Sequence, residues 1–309
     1  MGWKLTTKDE YISIFSEVLT VFHTVDFNNI NSSKAESIYY LYYSINDCNY
    51  GIILGKSLNN FNSPFSAPFG GLIYSGIVSR KDLKKVGAEL ISWISIKKGN
   101  LYLTLPPIFY DVPFLNMLIE EWKNLGFKTN YVDLNSHYSL KNQLSFDQLL
   151  NSKARNKFKN SLKNQFKFNL VVTENEKIIA YSIIQQNRKE RGFPLKMSFD
   201  DLEKTSKIVQ IDYFILEMNL QQSAAAIVFN ISETVAYVVY WGNIESSSIM
   251  RPMNLLPKLL FDYYKSIGKE FLDIGTSSEM GIINEGLTSY KKSIGCITSE
   301  KYSLKFIYA

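Results

Sequence analysis

The sequence predicts an α/β protein with mixed (α+β) sheets, built as two copies of one unit. Three observations carry this. Apolar residues make up 46% of the 309 and charged residues 20%, a balance that supports real cores and not a disordered chain. Strand-like runs alternate with helix-like ones along the whole length. The order of elements in the first half (hairpin strands, helix, glycine, strand, loop, helix, glycine, strand) recurs in the second.

The elements follow from spacing and punctuation. Tyr11, Ile14, Phe15, Val18, Leu19 and Phe22 keep helical spacing and predict one opening helix. SIYYLYYSI (37–45) and YGIILGKSL (50–58), separated by NDCN, predict a hairpin, and GGLIYSGIV (70–78) a third strand. Ser79 and Asp82 form a capping pair ahead of the stripe Leu83, Val86, Leu90, Ile91 and Ile94, and Gly99 stops that helix. LYLTL (101–105) predicts a strand, 114–125 a helix ended by Gly126, and KTNYVDL (128–134) a strand.

In the second half, AAAIVFNI and VAYVVYW predict a hairpin around Ser232-Glu233. A helix from about Asn254 buries Leu255, Leu256, Leu259, Leu260, Tyr263 and Ile267, with Pro257 in its first turn and Gly268 after it. EFLDI (270–274) predicts a strand, 286–294 a helix stopped by Gly295, and the tail a strand. Gly99 lies as far from Gly126 as Gly268 does from Gly295. With roughly 100–200 residues per domain, the expectation is a tandem duplication: residues 1–145, then 146–309 with a linking helix at its start.

That linking segment carries the strongest charge asymmetry of a chain whose net charge is +5. No acid occurs between Asp147 and Glu174, while Lys153, Arg155, Lys157, Lys159, Lys163 and Lys167 do. Ala154, Phe158, Leu162 and Phe166 form one helical stripe, and Arg155, Lys159, Lys163 and Lys167 the stripe beside it. The stripe is either a solvated face or a surface for an anionic partner. It lacks interleaved aromatics for base stacking, so DNA is not an expected partner.

Several chemistries are excluded. Two cysteines and two histidines without clustering give no metal site. YGIILGKSL contains G-K-S but misplaces the first glycine of a P-loop. No G-x-S-x-G elbow is present. No apolar run reaches the roughly 20 residues a membrane helix needs, and the N-terminus lacks a signal peptide's apolar core. A cytoplasmic protein with reduced thiols is the expectation.

Three loops remain as candidate sites. In NSPFSAPFGG (62–71), Ser66, Phe69 and Gly70 would line a cleft. In IESSSIMRPMNLL, Ser247, Ser248, Arg251 and Asn254 surround a helix start, where free N–H groups attract anions. In DIGTSSEMGIINEGLTSYKKSIGC, Asp273 ends a strand and Ser277, Ser278, Asn284 and Glu285 precede the helix bearing Tyr290 and Lys291. Each loop reads equally as simple connection and capping.

GLTSYKKSIG is similar to the signature G-L-x-x-[FY]-K-x-x-[FI]-G, with Gly286, Leu287, Tyr290, Lys291, Ile294 and Gly295 in its places. NSPFSAPFGG resembles a loop of FemAB-like proteins encoded with polysaccharide-assembly genes, and KARNKFKNSLKNQFKF the basic helix of the Fem family of aminoacyl and peptidyl transferases. The resemblance covers nearly the whole chain. It implies two tandem acyl-CoA N-acyltransferase-like domains of the Gcn5-related type. It also implies an N-acyltransferase acting on an amine of a cell-envelope sugar or peptide precursor.

On that resemblance Lys291, Asp273 and Tyr290 are the catalytic candidates. Lys291 would hold a substrate carboxylate or oxyanion, and Asp273 would take the amine proton. Ser66, Phe69, Gly70, Ser277, Ser278, Asn284 and Glu285 would bind substrate. Ser247, Ser248, Arg251 and Asn254 would bind acyl-CoA or another activated acyl donor. The chain departs from the family in two places. Arg251 is followed by Pro252, Met253 and Asn254 instead of the glycines of R-x-x-G-x-[GA]. The coiled-coil arm of tRNA-using members is missing, so tRNA is the less favoured donor. A non-catalytic binder of glycan or nucleotide-sugar, and an aminoacyl-tRNA-dependent peptidoglycan bridge former, are the alternatives.

Overall fold

Caps and alternation direct the chain into its elements. The computed structural model describes residues 2–141 and 143–308. In order come β1 (Lys4–Leu5), α1 (Lys8–Ile14), α2 (Val25–Ile30), β2 (Ser37–Ile45), β3 (Cys48–Ser57), β4 (Asn60–Ser63), β5 (Ile73–Gly76), α3 (Arg80–Ile96), β6 (Asn100–Thr104), α4 (Val112–Asn124) and β7 (Lys128–Ser139). Then follow α5 (Phe146–Leu149), α6 (Ser152–Ser161), β8 (Lys167–Val171), α7 (Glu174–Glu190), α8 (Phe199–Ser206), β9 (Ile211–Met218), β10 (Gln221–Asn230) and β11 (Val235–Asn243). The chain closes with α9 (Pro252–Ser266), β12 (Phe271–Thr276), β13 (Ser278–Glu279), β14 (Ile282–Ile283), α10 (Glu285–Ser293) and β15 (Ile297–Phe306).

Two compact units result. The first takes residues up to 134, with 280–282 and everything from 299; the second takes 135–279 and 283–298. The units interleave along the chain, which the expected segments 1–145 and 146–309 do not.

In the first unit the strands run β1-β2-β3-β4-β6-β15-β7, with β5 on β3. The pairs β1–β2, β2–β3, β3–β4, β3–β5 and β6–β15 are antiparallel, and β4–β6 is parallel. Alternation on β3 sends Tyr50, Ile52 and Leu54 into a core with α3 and α4, while Ile53 joins Tyr11, Phe15 and Tyr40 on the other face. This explains the glycines of the false P-loop. A Cβ on Gly51 would lie 2.6 Å from the Phe15 ring, and one on Gly55 would lie 2.4 Å from Phe65. Both glycines serve packing.

The second unit orders its strands β7-β12-β11-β10-β9-β8. On one face α9 (Leu256, Leu260, Phe261, Tyr264) and α6 (Ala154, Phe158) cover Phe214, Ala226 and Leu272. On the other, α7 packs against β10 and β11. Gly242 accommodates the Asn187 amide there, 2.4 Å from where its Cβ would stand.

The structure corrects several local expectations. The opening helix stops at Ile14. Thr20 and Thr24 begin separate short turns, and Thr24 caps α2 through the Phe27 N–H. α6 ends at Ser161, so Lys163 and Lys167 leave the cationic stripe; Asn164 instead donates to the Met250 carbonyl at 2.9 Å. Arg155 leaves it as well, donating to the carbonyls of Asp147 and Leu150. Gly126, Gly268 and Gly295 follow their helices with positive φ, but after α3 Lys98 takes that role. Gly99 is required because a Cβ would meet the Phe61 ring at 2.5 Å. α9 begins at Pro252, which puts Pro257 in its second turn and leaves Ile267 half exposed.

Both histidines are buried, and burial pulls each down to about 4. Unfolded histidine titrates near 6.5. Between about 6.5 and 4 the unfolded chain therefore binds more protons, and stability falls as pH falls. Urea unfolding at pH 7.5 and pH 5 is expected to show a loss of roughly 2 kcal/mol per histidine. The double variant His23→Gln/His137→Gln should flatten that slope; an unchanged slope would contradict the assignment.

Candidate functional site

β11 and β12 are parallel but pair over only three positions, Val235↔Phe271, Ala236↔Leu272 and Tyr237↔Asp273. β11 then runs on to Asn243 with no strand on that side among the described residues. A wedge opens from Tyr237 onward. Its cause lies where the last turn of α10 meets the end of β12. Lys291 Nζ donates to three successive carbonyls, Ile274 at 2.9 Å, Gly275 at 2.8 Å and Thr276 at 2.9 Å. Carbonyls of a regular strand alternate sides. Three can converge only because Gly275 sits at φ 72°, in the left-handed region that glycine tolerates. The end of β12 is thus drawn to Lys291 and away from β11.

Lys291 is 2% exposed and spends all three donors on these carbonyls. Burial pulls its ammonium down to about 8, opposed by Cys296 and Asp273. It is charged at neutral pH and holds the end of β12; the expected role of holding a carboxylate or oxyanion would need donors that here lie on backbone carbonyls. Asp273 is fully buried and accepts from the Asn135 amide and the Gly275 N–H, both at 2.8 Å. It shapes the same turn and is not placed to take a substrate proton.

Tyr290 has a structural duty as well. Its hydroxyl donates to the Met253 carbonyl at 2.7 Å. That carbonyl would ordinarily receive the N–H four residues on, but residue 257 is proline and has none. Tyr290 fills the gap Pro257 leaves and joins α10 to the first turn of α9. Burial raises its phenol well above the ordinary range, against acid–base work.

The serines behave similarly. Ser277 and Ser278 are buried, and the Ser277 carbonyl accepts from the Asn284 N–H. Asn284 caps α10 through the Leu287 N–H, and Glu285 is exposed in the first turn. In the first unit, Ser66 accepts from Lys34 and donates to Asn31. Phe69, expected to line a cleft, is buried against Phe22 and Tyr110. Gly70 donates its N–H to the Thr104 carbonyl. The loop covers a water-sized cavity lined by Tyr11, His23 and Asn28.

At the wedge mouth the segment from Ile244 to Arg251 folds as a 3-10 turn. Ser247 donates to the carbonyls of Ser223 and Ile244, and Ser248 accepts from Asn243. Asn254 N–H returns to the Arg251 carbonyl. The exception is Arg251. It sits at φ 59° as the N-cap of α9, contributes no side-chain cap, and among the described residues its guanidinium has no hydrogen-bond or ion-pair partner. A bulky left-handed residue is a strained one, here with a free cation at a helix start.

Two site features were missed in the sequence. Val239 is the extra residue of a bulge, since Ile227 faces Tyr240 and Val228 faces Val238. It re-aims β11 just beyond the last β12 pair. Tyr237 lies at that last pair, its hydroxyl 3.6 Å from where a Gly275 Cβ would stand. The alternation of VAYVVYW looks regular, so neither had a signal.

The second unit, with its bulged and splayed parallel pair between α9 and α10, is acyl-CoA N-acyltransferase-like, and the whole has the fold of a tandem protein of this class. Solved structures share it over nearly the full length. FemX matches with a TM-score of 0.69 at 12% identity, covering 99% of this chain and 97% of that one. A tandem GNAT protein from the clavulanic acid biosynthesis pathway matches at 0.57 and 7% identity, covering 98% and 97%. The C-terminal domain of a putative lysylphosphatidylglycerol synthetase from Agrobacterium fabrum matches at 0.58 and 8% identity, covering 97% and 92%. No protein-family model and no curated protein matches the sequence.

Proposed function

We propose that the chain is an N-acyltransferase of the FemAB-like kind, moving an acyl or aminoacyl group to an amine of a cell-envelope sugar or peptide precursor. The observation that carries this is the β11–β12 wedge with the unpartnered Arg251 at its mouth. Fold likeness to FemX, to a tandem GNAT protein and to a lysylphosphatidylglycerol synthetase supports the class of reaction.

Acyl transfer to an amine needs a polarised carbonyl, a held oxyanion and a path for the amine proton. The unpaired edge of β11 around Val239 offers fixed backbone donors for the first two. One such donor lowers a barrier by about 2.7–4 kcal/mol in a well-studied case. Arg251 and the start of α9 suit an anionic group of the donor. Acyl-CoA fits this only without its usual glycine cradle; another activated donor, aminoacyl-tRNA included, needs only the cation. Asp273, Lys291 and Tyr290 are all committed to backbone, so the amine proton leaves through water or the substrate itself.

That commitment also favours a second reading, a non-catalytic binder of glycan or nucleotide-sugar. Incubating the protein with an amino-sugar nucleotide and either acetyl-CoA or aminoacyl-tRNA, followed by mass spectrometry, separates the two. The proposal expects the acyl mass on the sugar amine with one donor. A nucleotide-sugar that raises the melting temperature yet gains no mass would support the binder instead.

A further inference from the structure

The strand topology of the second unit collects four chain segments at one end of its sheet. β10 begins where β11 ends, with Ala224 opposite Asn243. β8 begins where β9 ends, with Lys167 opposite Glu217. The turn at Asn219-Leu220, the segment 162–167 and the segment 244–251 therefore share that end. The end of α7 joins them through the Glu245 N–H, which donates to Glu190 at 3.0 Å. Ser247 to the Ser223 carbonyl (2.8 Å) and Asn164 to the Met250 carbonyl (2.9 Å) tie the segments together.

Each segment presents an apolar side chain to solvent. Leu220 is 91% exposed and Ile249 87%, and Leu162 and Phe193 are about half exposed. Leu220 is notable for its backbone. Asn219 and Leu220 have φ of 50° and 62°, a turn that normally takes Asn-Gly. A leucine there is strained and not chosen for the turn. Around these tips stand Lys163, Lys167, Lys189 and Arg191. The acids at this end are Glu190, Glu217 and Glu245; Glu217 pairs with Lys167, and Glu190 accepts the Glu245 N–H.

We propose that this end of the second unit docks on an anionic lipid bilayer, its aliphatic tips entering the interface and its cations meeting the headgroups. Charge complementarity fits such a surface, because basic residues beside an apolar face are drawn to acidic lipid. Only one of the four apolar side chains is aromatic, whereas a single-stranded nucleic-acid platform stacks bases on several rings. The docking is peripheral: among the described residues no helix is long and apolar enough to cross a membrane.

Flotation with vesicles of phosphatidylglycerol and phosphatidylcholine, or of phosphatidylcholine alone, tests this, with filter binding to bulk tRNA in parallel. Leu220→Asp/Ile249→Asp removes the tips, and Lys163→Glu/Lys189→Glu reverses two cations; all four side chains are exposed, and circular dichroism checks each fold. The full chain should float with the anionic vesicles only, and each double variant should lose at least tenfold in partitioning. Absence from anionic vesicles, variants that float like wild type, or tRNA binding in place of vesicle binding would overturn the proposal.

Discussion

Lys291→Met is expected to lower the unfolding free energy by about 3–5 kcal/mol, the usual result of removing one member of a buried charged cluster. The change strips three buried carbonyls of their donor and leaves the Asp273 carboxyl without the nearby cation. Lys291→Arg should not rescue it, because a planar fork cannot meet three converging carbonyls as an ammonium point does. Urea unfolding checks both. A substrate-holding lysine at a cleft surface would instead leave stability within about 0.5 kcal/mol of wild type. The variant should also lose donor binding, since the carbonyls of Ile274 and Thr276 are released to pair with β11 and close the wedge.

Arg251→Gly should move stability and binding in opposite directions. Glycine relieves the left-handed backbone at φ 59°, a strain of roughly 1–2 kcal/mol, so unfolding should become harder by up to about 1 kcal/mol once glycine's own flexibility is subtracted. The same change removes the unpartnered guanidinium. A charge-assisted hydrogen bond contributes about 1.5–3 kcal/mol, so donor affinity should fall about 10–100-fold in equilibrium titration. A variant that is both less stable and equally tight in binding would show that Arg251 belongs to the fold alone.

The sequence carries much of this fold in local signals. Ser79 caps α3 as its spacing requires, and the 37–58 hairpin pairs in full register. Ala154 and Phe158 face the core as their four-residue step requires. α7 was not read from the sequence: the capping box of Thr173 and Glu176 marks its start, but its apolar stripe is weak.

The site was harder to read, for a physical reason. The GLTSYKKSIG stretch marks a place that matters, yet its residues act through partners far away in sequence. Lys291 needs the left-handed Gly275 to gather three carbonyls, and Tyr290 needs a proline in α9 to leave one free. Neither relation appears as a spacing or a period. Arg251 drew notice in the sequence as a cation at a helix start, while what sets it apart in the structure, a guanidinium with no partner among the described residues, is something no sequence displays.

The wedge is the centre of the account, and backbone hydrogen exchange with and without the donor that supports transfer tests it most directly. Donor saturation should slow exchange along β11 from Val238 to Asn243 and at the first turn of α9, and Arg251→Gly should need far more donor for the same protection. Protection confined to other elements, or none in β11 at saturating donor, would contradict it.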